Sequence, residues 1–410
     1  MKLNKVFTGF IILSVFGFTT LELGSVSDSA YEVESASIVR SPKPKGLDSL
    51  VYAYDQFLAH SIDSLKSPGA AIALVYKGEI ILLKGYGVKQ FGAADSVDFH
   101  TAFRLGSVSK GFASVLTGIM VEEGVVKWDD CVKNYLTDFR MKDTSCTNHL
   151  TIRNILSQTT GLPEHTYTDM LDNGYEYDNI KGSLANVPLI AKPGQIYTYQ
   201  NVAYSLISDI LFNASGKDYN NLLQEKIFTP LRMRDASTDY TSFYYNPNTA
   251  MPHLRAGTTW KSRPKNSRYY SASPASGVNA SASDMAKWLL ALTGYYPEVL
   301  PDKTIEDISL PEVETPRKIT YRKNWKDLQK TYYGLGWRIF EVNGHNVVYH
   351  GGYVEGFRSE IAFDPQSKIG IAVLFNSNTP LASQCVPKFI NSFFSTCCPE
   401  NRISLYAQNQ

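Results

Sequence analysis

Ser107 and Lys110 stand three residues apart in Phe103-Arg-Leu-Gly-Ser-Val-Ser-Lys110, at the head of an apolar run that reads as a helix from Ser107 to about Val121. At that spacing both side chains fall on one helix face. A serine hydroxyl is a poor nucleophile until a base takes its proton. A lysine one turn on can be that base if burial lowers its pKa, and a helix N-terminus favours the developing negative charge. The same residues also describe a serine cap followed by a solvent-facing lysine. A second S-x-x-K, Ser262-Arg-Pro-Lys265, occurs downstream, where Pro264 opposes a helical pairing.

The elements around this pair follow from periodicity. Leu47–Leu65 reads as an amphipathic helix. Ala70–Tyr76 and Ile80–Leu83 are apolar runs joined through Lys77-Gly78, a hairpin signal. The stretch from about 125 to 265 reads as helical segments between Pro- and Gly-marked turns, with Asn201–Asn213 a helix. Met285–Leu292 is helical too. Strand patterning returns over Gly336–Val342, Asn346–Tyr349, Ser359–Phe363 and Ile369–Asn376, and Val386–Phe394 closes as a helix. The predicted architecture is one antiparallel α/β (α+β) sheet region, 28–105 with 266–400, flanked by helices. A mainly helical insertion covers 106–265 and a tail covers 401–410. Chemistry is expected in the cleft where the two regions meet.

Composition bounds the function. The 410 residues carry 40 Lys+Arg against 39 Asp+Glu, with 43% hydrophobic and 12% aromatic residues. That balance argues against a nucleic-acid partner and against disorder. Lys2 and Lys5 precede an apolar run to about Leu21, then Gly24, Ser25 and Ser27. This is the layout of a signal peptide over 1–27, so the mature chain is expected to be exported to the periplasm or outside, without a stable membrane anchor. Five cysteines are too few for a disulfide scaffold, although Cys131 and Cys146 could close a loop. No CxxC pair occurs, and neither metal nor cofactor is implied.

The run Leu105-Gly-Ser-Val-Ser-Lys-Gly-Phe112 resembles the first motif of the penicillin-recognising serine hydrolases: class C β-lactamases, related DD-peptidases and esterases. Trp128–Leu136 is similar to that family's "LDDPVxxYLP" stretch, with Cys131 in place of proline. Thr151–Leu162, Pro230–Met233 and Ser281–Leu289 resemble its "TIRxLLxHTSGL", "PLGM" and "STAxDMAxxL" segments, in the expected order over roughly 65–395. The resemblance implies a serine β-lactamase/transpeptidase-like fold. Its second motif is Tyr-x-Asn, and four such triplets occur: Tyr177–Asn179, Tyr199–Asn201, Tyr219–Asn221 and Tyr244–Asn246. Only Tyr199-Gln-Asn201 has the family's Pro-Gly lead-in, Pro193-Gly194, and a helix behind it. By resemblance Tyr199 is the partner in proton transfer and Asn201 the positioning group.

The third motif departs from the β-lactamase pattern. Where class C enzymes carry Lys-Thr/Ser-Gly, this chain reads His350-Gly351-Gly352-Tyr353. Histidine also stands there in family peptidases, but its reference pKa of about 6.5 weakens the grip on a substrate carboxylate at neutral pH. The resemblance assigns His350, Gly351, Gly352 and Tyr353 to substrate binding, and the amides of Ser107 and Tyr353 to the oxyanion hole. It places His165 near a substrate-contacting glutamine, while the residues themselves read as a surface turn. The expected activity is cleavage of an amide or ester, in a β-lactam or a D-Ala-type peptide, through a Ser107 acyl-enzyme. The expected partner is a small-molecule or peptidoglycan-derived substrate in a bacterial envelope. The alternatives are a carboxylesterase on the same fold and a penicillin- or peptidoglycan-binding protein without turnover. No G-x-S-x-G elbow is present.

Overall fold

The computed structural model describes residues 43–316 and 323–398, so the leader expected over 1–27 and the tail over 401–410 lie outside the described residues. Helix α1 (Leu47–Ser64) leads into the hairpin β1 (Gly69–Tyr76) and β2 (Glu79–Gly87). Every residue of β1 is buried, because the strand has a core on each face. Ala71, Ala73 and Val75 join the larger core, which contains the inserted helices. Ala70, Ile72, Leu74 and Tyr76 join a second core against α1 and the C-terminal helix.

A short strand, β3 (Phe103–Arg104), runs into a 3-10 turn at Gly106–Val108 and then α2 (Ser109–Glu122). The helix therefore starts two residues later than its periodicity predicts, and Ser107 sits in the turn. Three residues per turn bring positions i and i+3 into line, which keeps Ser107 and Lys110 on one side. Residues Ser109 to Met120 of α2 are all buried, as expected of a helix enclosed by others. After several short helices comes the longer α3 (Val202–Ser215).

The insertion is not wholly helical. It holds the hairpin β4 (His253–Ala256) and β5 (Thr259–Ser262), turned at Gly257 with φ +61 and braced by Arg255 over the Trp260 ring at 5.1 Å. Ser262, the serine of the second S-x-x-K, ends β5 instead of opening a helix. Strand β6 (Asn279–Ala280) pairs with β3, and α4 (Ala282–Leu292) follows with a capping box from Ser281 and Asp284.

The remaining strands are β7 (Val313–Glu314), β8 (Leu328–Tyr333), β9 (Arg338–Val342), β10 (His345–Val354), β11 (Phe357–Asp364) and β12 (Ile369–Phe375), before α5 (Ala382–Cys397). The sheet order is β2-β1-β12-β11-β10-β9-β8-β7, with every neighbouring pair antiparallel. Ala70 faces Phe375, so strands from both ends of the chain share one sheet. The sequence patterning omits β7 and β8. Strand β7 is two residues long, and Gln329 and Lys330 interrupt the alternation of β8, as charged and polar residues do near sheet edges. All five cysteines are free thiols, so Cys131 and Cys146 do not close a loop.

Candidate active site

Pairing between β9 and β10 stops at Tyr349↔Arg338, while β10 continues to Val354. The end of β10 therefore offers an open edge beside Ser107. Glu355 and Gly356, both at positive φ, turn the β10–β11 hairpin with Val354 opposite Phe357. In a two-residue hairpin that closing pair is hydrogen-bonded, so the next residue, Tyr353, directs its N–H away from β11. Gly352 permits the approach. A Cβ there would overlap the Leu105 carbonyl and the Ser359 hydroxyl and lie 3.1 Å from the Ser107 amide. Ser359 donates to the Leu105 carbonyl from β11 and fixes the turn that carries Ser107. Gly106, at φ +54, would place a Cβ 2.8 Å from the Tyr353 amide nitrogen. The amides of Ser107 and Tyr353 thus flank one small space.

Lys110 is fully buried in α2. Its Nζ donates to Asn201 Oδ1 at 2.7 Å and to the Ala275 carbonyl at 3.0 Å, and lies 4.6 Å from the Tyr199 ring centre. Burial holds its pKa well below the ordinary lysine value, and the nearby Arg338 charge lowers it further. Asn201 is the N-cap of α3, yet its side chain caps nothing there. Its oxygen serves Lys110 instead, and its Nδ2 donates to Thr168 Oγ1 at 3.3 Å. Gln158 holds the strand-like approach to this pair: its carbonyl accepts from Thr198 N, its Oε1 from Gln200 N at 2.6 Å. The segment resembling "TIRxLLxHTSGL" therefore positions Tyr199 and Asn201.

A cavity of about 550 Å³ is lined by Ser107, Tyr199, Asn201, Gly351, Gly352 and Tyr353, together with His165 and Arg338. Of the four Tyr-x-Asn triplets only Tyr199–Asn201 reaches it. Tyr177 is buried against Asp209, Tyr219 is buried on a short helix, and Tyr244 is surface-exposed. Lys110 lies behind the wall, in contact with its lining. His165 sits in an exposed turn, as its neighbours in the sequence suggest, and that turn forms part of the cavity wall. Its amide donates to the Tyr199 carbonyl at 2.8 Å and its ring lies 5.6 Å from that of Tyr199.

His350 is placed differently from the expectation. It is buried behind the lining, with Nε2 3.1 Å from the Tyr333 hydroxyl and Nδ1 2.9 Å from the Gly351 carbonyl. Its ring points into the protein because alternation on β10 sends His350, Gly352 and Val354 to the face opposite Tyr349 and Tyr353. Burial, then the charges of Arg338 and Lys110, hold its pKa well below 6.5. The permanent cations on the cavity wall are Arg338 and Arg358, which the sequence reading did not single out. An arginine between Trp337 and the apolar pair Ile339-Phe340 was the available signal for Arg338.

His350 carries a pH prediction. Its folded pKa is depressed, so the unfolded chain takes up the proton first as pH falls below about 6.5. Its contribution to stability is complete above that pH and is lost on acidification, with a slope of at most about 1.4 kcal/mol per pH unit. The unfolding midpoint of the parent chain should fall more steeply between pH 7 and 5 than that of His350→Gln, measured by circular dichroism. Parallel slopes would refute the buried neutral histidine.

This fold, an antiparallel sheet flanked by helices with a serine–lysine pair beside an open strand edge, is a serine β-lactamase/transpeptidase-like fold. It matches a structure titled as the octameric penicillin-binding protein homologue from Pyrococcus abyssi with a TM-score of 0.70 and 23% identity, covering 82% of this chain and 76% of that one. It also matches EstCE1, described as a hydrolase with promiscuous acyltransferase activity, with a TM-score of 0.70 and 18% identity, covering 84% and 99%. The beta-lactamase family model matches residues 54–388, and the chain belongs to that family. Among curated relatives, "Protein flp" of Staphylococcus aureus (strain MW2) is 24% identical over 362 residues, 86% of this chain and 68% of that protein. "Unguisins hydrolase ungD'" of Aspergillus campestris is 27% identical over 357 residues, 82% of this chain and 63% of that protein.

Proposed function

We propose that the chain is an exported serine hydrolase that cleaves amide or ester bonds, in a β-lactam or a D-Ala-type peptide, through a Ser107 acyl-enzyme. The observation that carries this reading is the state of Lys110, a buried amine of depressed pKa one turn from a serine on the cavity wall. A neutral amine has two N–H donors, and Asn201 and the Ala275 carbonyl accept both. Its lone pair is left for the Ser107 proton. Ser107 Oγ then bonds to the substrate carbonyl carbon, and the carbonyl oxygen takes the charge between the Ser107 and Tyr353 amides. The Tyr199 hydroxyl gives its proton to the leaving group as the bond to the acyl carbon breaks, and Lys110 passes the serine proton to Tyr199, which restores both groups. Water releases the acyl group. Secretion through the 1–27 leader and a peptidoglycan-derived substrate belong to the same proposal. The family relationship and the unguisins hydrolase among its relatives support hydrolysis.

A carboxylesterase is the second reading, favoured by His350. A buried histidine of lowered pKa gives no cation to a β-lactam carboxylate. Intact mass spectrometry after mixing with benzylpenicillin, beside Ser107→Ala, separates the cases. A lasting serine-dependent adduct indicates slow deacylation, as in a penicillin-binding protein without turnover. Opened penicillin without adduct indicates a β-lactamase. Intact penicillin with cleavage of p-nitrophenyl acetate indicates the esterase. Inertness toward all substrates in the parent chain would overturn the hydrolase reading.

Arg338 tunes this chemistry by repulsion. Removing its charge in Arg338→Gln raises the Lys110 pKa, so the acid limb of the pH–rate profile should move to higher pH. An unmoved limb would separate Lys110 from the Arg338 field.

A further inference from the structure

Beyond Tyr353 lies a second cavity of about 540 Å³, which shares Asp172, Tyr269 and Tyr353 with the first. Arg263, Lys265, Asn266, Arg268 and Glu355 line the rest of its polar wall. Three of these residues belong to the stretch Ser262–Asn266 that holds the second S-x-x-K, so this motif builds a wall instead of a nucleophile. The two carboxylates are already engaged. Glu355 accepts from Arg268 at 3.2 Å and from Asn266 Nδ2 at 3.0 Å, and Asp172 accepts from the Tyr269 hydroxyl.

The cations are in excess. Among the described residues neither Arg263 nor Lys265 forms an ion pair. Lys265 is held by the carbonyls of Phe243 and Tyr244 and by the Thr249 hydroxyl, which are all neutral, so it supplies field but no spare donor. Buried Arg104 lies beneath, donating to the Asn266 and Arg268 carbonyls, and fixes the loop from below. Arg263 is exposed, and its planar fork suits a carboxylate or phosphate.

We propose that this cavity is an anion subsite for the acyl arm of the substrate, taking a carboxylate or phosphate group some distance from the reacting carbonyl. The assignment of the arm rests on the hydrolase reading above. Tyr199 must reach the leaving group to protonate it, so the leaving group occupies the Tyr199 side of Ser107. The acyl arm then runs out past Tyr353, whose amide holds the carbonyl oxygen, into the cationic wall. Arg263 and Arg268 bind the anion directly, while Lys265 and Arg104 maintain the positive field.

The test compares two esters with one leaving group, p-nitrophenyl acetate and the p-nitrophenyl half-ester of glutarate, whose acyl arm ends in a carboxylate. The parent chain should prefer the glutarate ester in kcat/KM. That preference should fall about tenfold in Arg263→Gln/Arg268→Gln, the scale of two partly exposed ion pairs, and shrink in about 0.5 M salt. An unchanged ratio in a folded double variant, or no preference in the parent, would overturn the subsite. If neither ester is cleaved, the esterase reading alone fails, and the cavity is tested by calorimetric titration with glutarate and with inorganic phosphate. Binding that weakens in the double variant supports the subsite, and the tighter of the two anions identifies the group. Binding equal in both proteins, or none in either, overturns it.

Discussion

Ser107→Ala is expected to lower turnover by about four orders of magnitude or more, because removal of the nucleophile leaves only binding and the oxyanion amides to act. The fold should be unaffected. Ser107 is half-buried on the cavity wall in a turn held by the Ser359 hydroxyl at the Leu105 carbonyl. Loss of one hydroxyl there falls among substitutions worth about 0.5 kcal/mol or less. The measurement pairs kcat/KM on whichever substrate the parent cleaves with the unfolding midpoint of both proteins. Retained turnover would move the nucleophile elsewhere. Lost turnover together with a collapsed midpoint would mean that Ser107 is structural, and Ser107→Cys then distinguishes the roles. A thiol of similar size keeps the packing and should still form an acyl adduct with an activated ester.

The nucleophile motif was readable because it is local. Ser107 and Lys110 are linked by one turn of chain, and burial of the following helix was legible from its apolar run. Tyr199 is a different case. Four triplets share its pattern, and position alone selects it, through Gln158 and the start of α3. Only the resemblance singled it out beforehand. The location of His350 was not legible. Its residue type and Gly-Gly context match a substrate-binding strand, but the side chain's direction depends on β10 alternation relative to an edge where β9 stops. A one-residue difference in that register reverses every side chain.

Arg338 and Arg358 illustrate the same limit. Each lies in a local hairpin, and each gains its meaning only from the cavity, where residues as remote in the chain as Ser107 and Tyr199 join the same wall. The two cores explain how the sheet can support both sides at once. Helices α1 and α5 seal one face, so the other is free to carry α2 and the insertion. The open edge of β10 then lies at the seam between the sheet and the insertion, where the sequence reading expected chemistry. What it could not give was the sign of that seam. Overall charge is near zero, yet each cavity carries cations on its own wall, Arg338 and Arg358 on the first and Arg263, Lys265 and Arg268 on the second.

Lys110→Met should lower acylation by about three orders of magnitude, and its pH profile is the diagnostic part. In the parent chain the amine acts only when neutral, so the rate should rise with pH through the depressed pKa of Lys110 and then level. The variant keeps similar bulk but has no titrating base, and this limb should vanish along with the rate. Stability gives an independent readout with its own sign. The folded chain resists a proton that the unfolded lysine binds below about 10.4, so the Lys110 contribution to stability is lost as pH falls and grows as pH rises to that value. Lys110→Met should flatten this rise between neutral and alkaline pH. It also leaves Asn201 Oδ1 and the Ala275 carbonyl without their donor, which costs about 1–3 kcal/mol for each buried acceptor at most. If the variant folds but the pH limb survives, the base is another group. If the limb vanishes while the stability profile keeps its slope, Lys110 titrates near its ordinary value and the proton-transfer scheme needs Tyr199 alone.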